Sequence, residues 1–108
     1  MRCTNCFLDF AHTIDGRFGL LDVADFEGKI RPDDMHSVRS RLVCLENTHN
    51  RGGGSIWPTA ILSELAVVAR RRSLALHMDG ARLMNAVVAS GNAAKTFASY
   101  VDSVWIDL

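Results

Sequence analysis

Two short apolar runs, Leu42-Val43-Cys44-Leu45 and Leu74-Ala75-Leu76-His77-Met78, flank a stretch whose apolar residues recur at helical spacing. This alternation restricts the fold more than any other feature of the chain. Each run is shorter than a stable helix and carries apolar side chains on both faces, the pattern of a buried strand. Between them Pro58 suits a first helical turn, Ile61, Leu62, Leu65, Ala66, Val68 and Ala69 form one stripe, and Arg70-Arg71-Arg72 closes the helix where cations favour its dipole. After the second run Gly80 makes a turn, and helical spacing resumes from Ala81 to Ser90 through Leu83, Ala86, Val87 and Ala89 until Gly91 ends it. Asn92 is expected to cap a further short helix through Ala93, Phe97 and Tyr100. Val101 to Leu108 then alternates as a last strand, with Val104 and Ile106 on one side and Ser103, Trp105 and Asp107 on the other.

The order strand, helix, strand, helix, helix, strand predicts an α/β fold with a mostly parallel sheet and right-handed crossovers. In such sheets ligands bind beyond the carboxyl ends of the strands. Asp79 and the polar run Glu46-Asn47-Thr48-His49-Asn50 both fall there. The first forty residues are less regular, with Asp15-Gly16 as a turn signal, Leu20 to Ile30 as a short helix carrying Leu21, Val23, Phe26 and Ile30, and Arg31-Pro32-Asp33-Asp34 as a loop. No linker interrupts the 108 residues, so one domain is expected.

Lys and Arg number 12 against 12 Asp and Glu, which leaves no broad field to hold nucleic acid. The longest uncharged stretch, Leu83 to Ala94, is interrupted by Asn, Ser and Gly and falls short of the about 20 apolar residues that cross a bilayer. The N-terminus lacks the apolar core and cleavage site of a signal peptide, and three cysteines fit a reducing compartment, so a cytoplasmic protein is expected. Cys3 and Cys6 form a C-x-x-C, but no second pair stands at zinc spacing, and no metal is expected. Gly52-Gly53-Gly54 lacks the Lys-Ser or Lys-Thr of a phosphate-binding loop and is expected as a flexible turn.

The most informative segment is His77-Met78-Asp79-Gly80-Ala81-Arg82. An acid at a strand end, a glycine, and an arginine in the first turn of the next helix bring a carboxylate and a guanidinium to one crevice. Such a carboxylate can keep a pyridinium nitrogen protonated, and the guanidinium can hold a substrate carboxylate bidentately. The same spacing also lets Asp79 cap the helix and pair with Arg82. His77, within the strand, is expected to be packed or hydrogen-bonded.

Taken in order, Pro32-Asp33-Asp34-Met35-His36, Arg39-Ser40-Arg41-Leu42-Val43-Cys44-Leu45-Glu46-Asn47-Thr48-His49-Asn50, His77-Met78-Asp79-Gly80-Ala81-Arg82-Leu83-Met84-Asn85-Ala86 and Asp102-Ser103-Val104 resemble the threonine aldolases. These are pyridoxal-phosphate enzymes of the aspartate-aminotransferase fold type. The likeness runs roughly from Gly16 to Leu108, leaving Met1 to Ala11 divergent; the segment 12–108 is thus aldolase-like. It implies a portion of the large domain of that fold, a partial parallel sheet in a three-layer αβα sandwich. Pyridoxal phosphate is the implied cofactor and a small amino acid the substrate, cleaved as threonine or allo-threonine into glycine and acetaldehyde. A homo-oligomer is implied too.

By this resemblance Asp79 faces the cofactor's pyridine nitrogen, Arg82 lies near the ring and binds the amino-acid carboxylate, and His36 matches a catalytic histidine near the substrate hydroxyl. The family's Schiff-base lysine follows the strand that begins Asp-Ser-Val, in a Ser-Lys-Gly string, and would fall just past Leu108. Lys29 and Lys95, the two lysines present, do not match it. The expectation is a portion of the large domain that does not catalyse cleavage alone. Trp105 departs from the pattern near the catalytic strand end, where an indole crowds a cofactor or packs under new surroundings. The alternative is a non-catalytic α/β module that binds or dimerises over its sheet edges.

Overall fold

The computed structural model describes residues 23–31, 34–36, 39–50 and 53–107. Cys3 and Cys6, the Asp15-Gly16 turn, the first residues of the helix expected from Leu20, Pro32-Asp33, Gly52 and Leu108 lie outside the described residues.

Short apolar runs become strands and periodic stretches become helices in the order α1 (Val23–Lys29), β1 (Leu42–Glu46), α2 (Thr59–Arg71), β2 (Ala75–Gly80), α3 (Leu83–Ser90), α4 (Ala94–Ala98) and β3 (Ser103–Ile106). The three strands form one sheet, β1-β2-β3, with both pairings parallel. Leu42 stands beside Ala75 and Glu46 beside Asp79, while His77 stands beside Ser103 and Asp79 beside Trp105. Pro58 is the cap of α2 rather than its first residue, with an extended backbone that its ring favours. Arg70 and Arg71 fill the last turn of α2, where their charge meets the helix's exposed carbonyls.

A strand order that advances in one direction with crossovers of one hand places both connections on the same face of the sheet. Burial follows that rule. Leu45, Leu76 and Met78 point toward the helices and join Leu62, Leu65, Ala66, Val68 and Ala69 of α2, Leu83 and Ala86 of α3, and Phe97 of α4 in one core. Fully burying a side chain such as Leu62, Leu65 or Phe97 stabilises by roughly 1.5–3 kcal/mol relative to leaving it in water. Phe26 anchors α1 to the same core. Of the three layers expected, the described residues supply two: on the other face of the sheet Leu42, Cys44, Ala75, Ser103 and Trp105 are exposed.

The short connections depart from the sequence expectation in two places. Asn92 does not cap α4; its N–H donates to Ser90 Oγ at 3.1 Å, and the extended Ala93 precedes the helix without a side-chain cap. The chain instead regains the sheet through Asp102, whose Oδ2 accepts from Leu76 N at 2.8 Å while its own N–H donates to Leu76 O at 2.8 Å. This reciprocal pair sets the register in which β3 begins. The second departure is the start of α3, two residues later than the periodicity suggested, and it shapes the site.

Candidate functional site at the carboxyl end of the sheet

β2 ends at Asp79-Gly80, and the turn that follows is held by the aspartate itself: Ala81 N donates to Asp79 Oδ1 at 3.1 Å. A carboxylate bonding the amide two residues on is the local turn that Asp favours over helix continuation. Arg82 is therefore the helix cap, at φ −118 and ψ 26, and not a first-turn residue. Its carbonyl accepts the first helical bonds, from Asn85 N at 3.1 Å and Ala86 N at 3.4 Å. Gly80 is required by the close approach of β3. A Cβ there would stand 2.7 Å from the backbone O of Trp105 and 3.2 Å from Leu83 Cβ and Val104 Cγ2.

Asp79 does not pair with Arg82, the arrangement that spacing alone allowed. The guanidinium reaches across to β1 instead, with Nη1 at 3.8 Å from Glu46 Oε1. Glu46 also stands 3.7 Å from His49 Nε2 through its other oxygen, and its Oε1 accepts from Asn50 N at 3.4 Å. Asp79 Oδ2 has no partner among the described residues. Among the described residues the carboxyl edge thus presents two carboxylates, one guanidinium and one imidazole from two adjacent strand ends.

The loop after β1 folds back tightly enough to hold Glu46 in place. Asn47 N donates to Asp79 O at 3.0 Å, extending the β1–β2 ladder by one bond. His49 and Ser55 form an antiparallel bridge, with His49 N to Ser55 O at 2.9 Å and Gly54 N to His49 O at 3.0 Å. Gly53 and Gly54 take φ of 80 and 82, a region glycine enters without the Cβ penalty, and these two glycines turn the chain back toward His49. Trp57 closes the loop: its indole Nε1 donates to Glu46 O at 3.0 Å and its backbone N–H to Asn47 Oδ1 at 3.4 Å. Asn47 is fully buried, and its Nδ2 has no partner among the described residues.

On the open face Cys44, His77 and Ser103 stand in register across the three strands, and His77 Nδ1 shares a 2.8 Å hydrogen bond with Ser103 Oγ. The Cys44 thiol is pushed above its ordinary pKa, first by loss of solvent around it and then by the Asp79 carboxylate. Trp105 is exposed beside Asp79, on the same face. His36 is also exposed, with its backbone N–H donating to Asp34 Oδ1 at 3.1 Å. Among the described residues no hydrogen bond or ion pair joins His36 to Asp79, Arg82 or Glu46. The structure thus gathers Asp79 and Arg82 at one edge and adds Glu46, His49 and Trp57, which the sequence marked only as part of a polar run and its surroundings.

A family model described as beta-eliminating lyase matches residues 8–108. The chain belongs to the beta-eliminating lyase family. Within that family it is similar to threonine aldolases, which are pyridoxal-phosphate enzymes. It is 47% identical over 90 residues to the low specificity L-threonine aldolase of Escherichia coli strain K12, covering 83% of this chain and 26% of that protein. It is 36% identical over 92 residues to the probable low-specificity L-threonine aldolase 2 of Arabidopsis thaliana, again covering 83% of this chain and 26% of the relative. The structure of Leishmania major threonine aldolase superposes with a TM-score of 0.74 at 28% identity, over 84% of this chain and 27% of that one. The chain therefore spans about a quarter of the length of these aldolases. The parallel α/β sheet expected from the strand and helix order is the aldolase fold over this span. Among the described residues, no helix is long and apolar enough to cross a membrane.

Proposed function

We propose that the carboxyl-end crevice is the cofactor and substrate edge of a threonine-aldolase site that cleaves L-threonine or L-allo-threonine to glycine and acetaldehyde. The observation that carries this reading is the Asp79 carboxylate, fixed at a strand end by Ala81 N with Oδ2 left to accept another donor. A ring N–H is such a donor, so the residues present fit pyridoxal phosphate on its pyridine side. Asp79 would hold that nitrogen protonated, and Arg82 would flank the ring. When bound, the cofactor supplies an electron sink for the pair released from the broken Cα–Cβ bond.

The chain's own residues do the rest of the positioning. Arg82, partly exposed and held at Nη1, offers its remaining N–H donors to the substrate carboxylate in the planar geometry a guanidinium favours. His36 takes the proton from the substrate's β-hydroxyl, whose oxygen becomes the aldehyde oxygen as the carbon–carbon bond opens. The Schiff-base lysine of this chemistry matches neither Lys29 nor Lys95; Lys95 lies on α4, past the far end of α3 from Asp79. Cleavage therefore requires a lysine placed as in the family's Ser-Lys-Gly string. A cytoplasmic location and a homo-oligomer complete the proposal; the edge strands β1 and β3, each paired on one side among the described residues, can accept a further strand of the fold or of a second copy.

Titration of the purified protein with pyridoxal phosphate, followed by its absorbance and by quenching of tryptophan emission, tests this reading. Saturable binding is expected, weakened at least tenfold in Asp79→Ala. Binding of equal strength in the wild type and Asp79→Ala would overturn it.

A further inference from the structure

The Glu46 side chain has three partners at this edge, and none of them was visible from its place in the sequence. Its Oε1 receives Asn50 N at 3.4 Å and faces Arg82 Nη1 at 3.8 Å, while Oε2 faces His49 Nε2 at 3.7 Å. The backbone beneath it is fixed as well, because Glu46 O accepts the Trp57 indole N–H and the residue stands in β1 beside Asp79. The carboxylate is thus anchored from its own loop before Arg82 reaches it. Arg82, by contrast, is a helix-cap residue whose side chain is 46% exposed and whose ion-pair partner among the described residues is Glu46.

We propose that Glu46 is a positioning residue that orients the Arg82 guanidinium toward an amino-acid carboxylate. The inference rests on the proposed aldolase reading for the ligand, while the Glu46–Arg82 contact stands on geometry. A guanidinium has five N–H donors in one plane, so a fixed carboxylate on one edge leaves the opposite edge to meet a second carboxylate bidentately. Without Glu46 the exposed arginine samples many rotamers, and each bound carboxylate must order it again. The contact is long and partly solvated, so its effect is modest: exposed pairs of this kind are worth about a two- to fivefold change in binding. Discrimination changes more than attraction, because removing the Glu46 charge itself favours any incoming anion while orientation affects only a planar carboxylate.

Two measurements separate the inference from the reading it rests on. Side-chain ¹⁵N NMR of the protein alone, with the Arg82 Nε–H signal assigned by its loss in Arg82→Lys, reports whether the guanidinium is held. The signal is expected to shift and to exchange faster with water in Glu46→Ala, with Glu46→Gln intermediate because its amide oxygen keeps an acceptor in place. An Arg82 signal identical in wild type and Glu46→Ala overturns the positioning role whether or not the cofactor binds. Calorimetric titration with glycine and with glycinamide, in the presence of pyridoxal phosphate, then reads the consequence. Both Glu46→Ala and Glu46→Gln remove the charge, so their comparison isolates orientation: the glycine preference is expected to be about two- to fivefold lower in Glu46→Ala than in Glu46→Gln. An equal preference in the two variants with cofactor still bound refutes the role of Glu46 and leaves the aldolase reading intact. Absence of cofactor binding in the wild type refutes the reading, and the NMR comparison still decides the contact.

Discussion

Replacing Gly80 by alanine gives a result whose sign depends on the packing at the β2–β3 junction. Gly80 is buried at the end of β2 with a φ outside the left-handed region, so backbone conformation does not demand glycine there. If nothing opposed the added methyl, Gly80→Ala would stabilise by about 0.4–1 kcal/mol by restricting the unfolded chain. Against this stands a Cβ 2.7 Å from Trp105 O, a backbone atom of the neighbouring strand, with Leu83 Cβ and Val104 Cγ2 both at 3.2 Å. No rotamer change relieves a clash between a Cβ and a backbone carbonyl, so β3 must shift, as in overpacked cores that lose about 1–3 kcal/mol. The net expectation is a loss of about 1.3 kcal/mol. With a urea m-value of about 2 kcal/mol/M for a domain of this size, the unfolding midpoint falls by about 0.6 M. Gly28→Ala in the exposed part of α1, where a Cβ would have nothing within 4 Å, is the matched control and should gain up to about 1 kcal/mol. A midpoint for Gly80→Ala at or above that of the wild type would refute the close strand approach.

Other perturbations address separate parts of the structure. Leu65→Ala removes a fully buried side chain from the face of α2 that meets the sheet and should cost about 2–5 kcal/mol, whereas Val67→Ala on the exposed side should stay within about 0.5 kcal/mol; urea denaturation of both checks which face is inside. Asp79→Asn removes one of the two causes that raise the Cys44 pKa, so the thiol should ionise at lower pH and react faster with iodoacetamide at fixed pH near neutrality. That rate is measured in a Cys3→Ser, Cys6→Ser background, and an unchanged alkylation profile would place Asp79 too far from Cys44 to matter.

Much of the fold was legible because its signals are local. The stripe from Ile61 to Ala69 and the apolar runs at Leu42 and Leu74 report burial directly, and the parallel sheet follows from their alternation. The start of α3 was less legible, because the Asp79 carboxylate competes with helix formation for Ala81 N. Asn92 carried a capping signal, yet its N–H is used by Ser90 Oγ and the chain stays extended at Ala93. At the site, Asp79 and Arg82 were legible from the segment that holds them. Their lack of pairing was not, since the partner of Arg82 comes from another strand, and spacing along one segment cannot reveal it. Glu46 and Trp57 gave no signal beyond lying near a polar run, because their roles arise from the loop folding back on β1.

The central claim is that the Asp79 carboxylate meets a pyridine nitrogen. Pyridoxal phosphate labelled with ¹⁵N in its ring, bound to the purified protein and observed by ¹⁵N NMR at pH 8, tests it most directly. A ring nitrogen at the protonated chemical shift in the wild type, and at the neutral shift with Asp79→Ala, is the predicted result. A nitrogen that stays neutral in the wild type, or stays protonated after Asp79→Ala, would contradict the account.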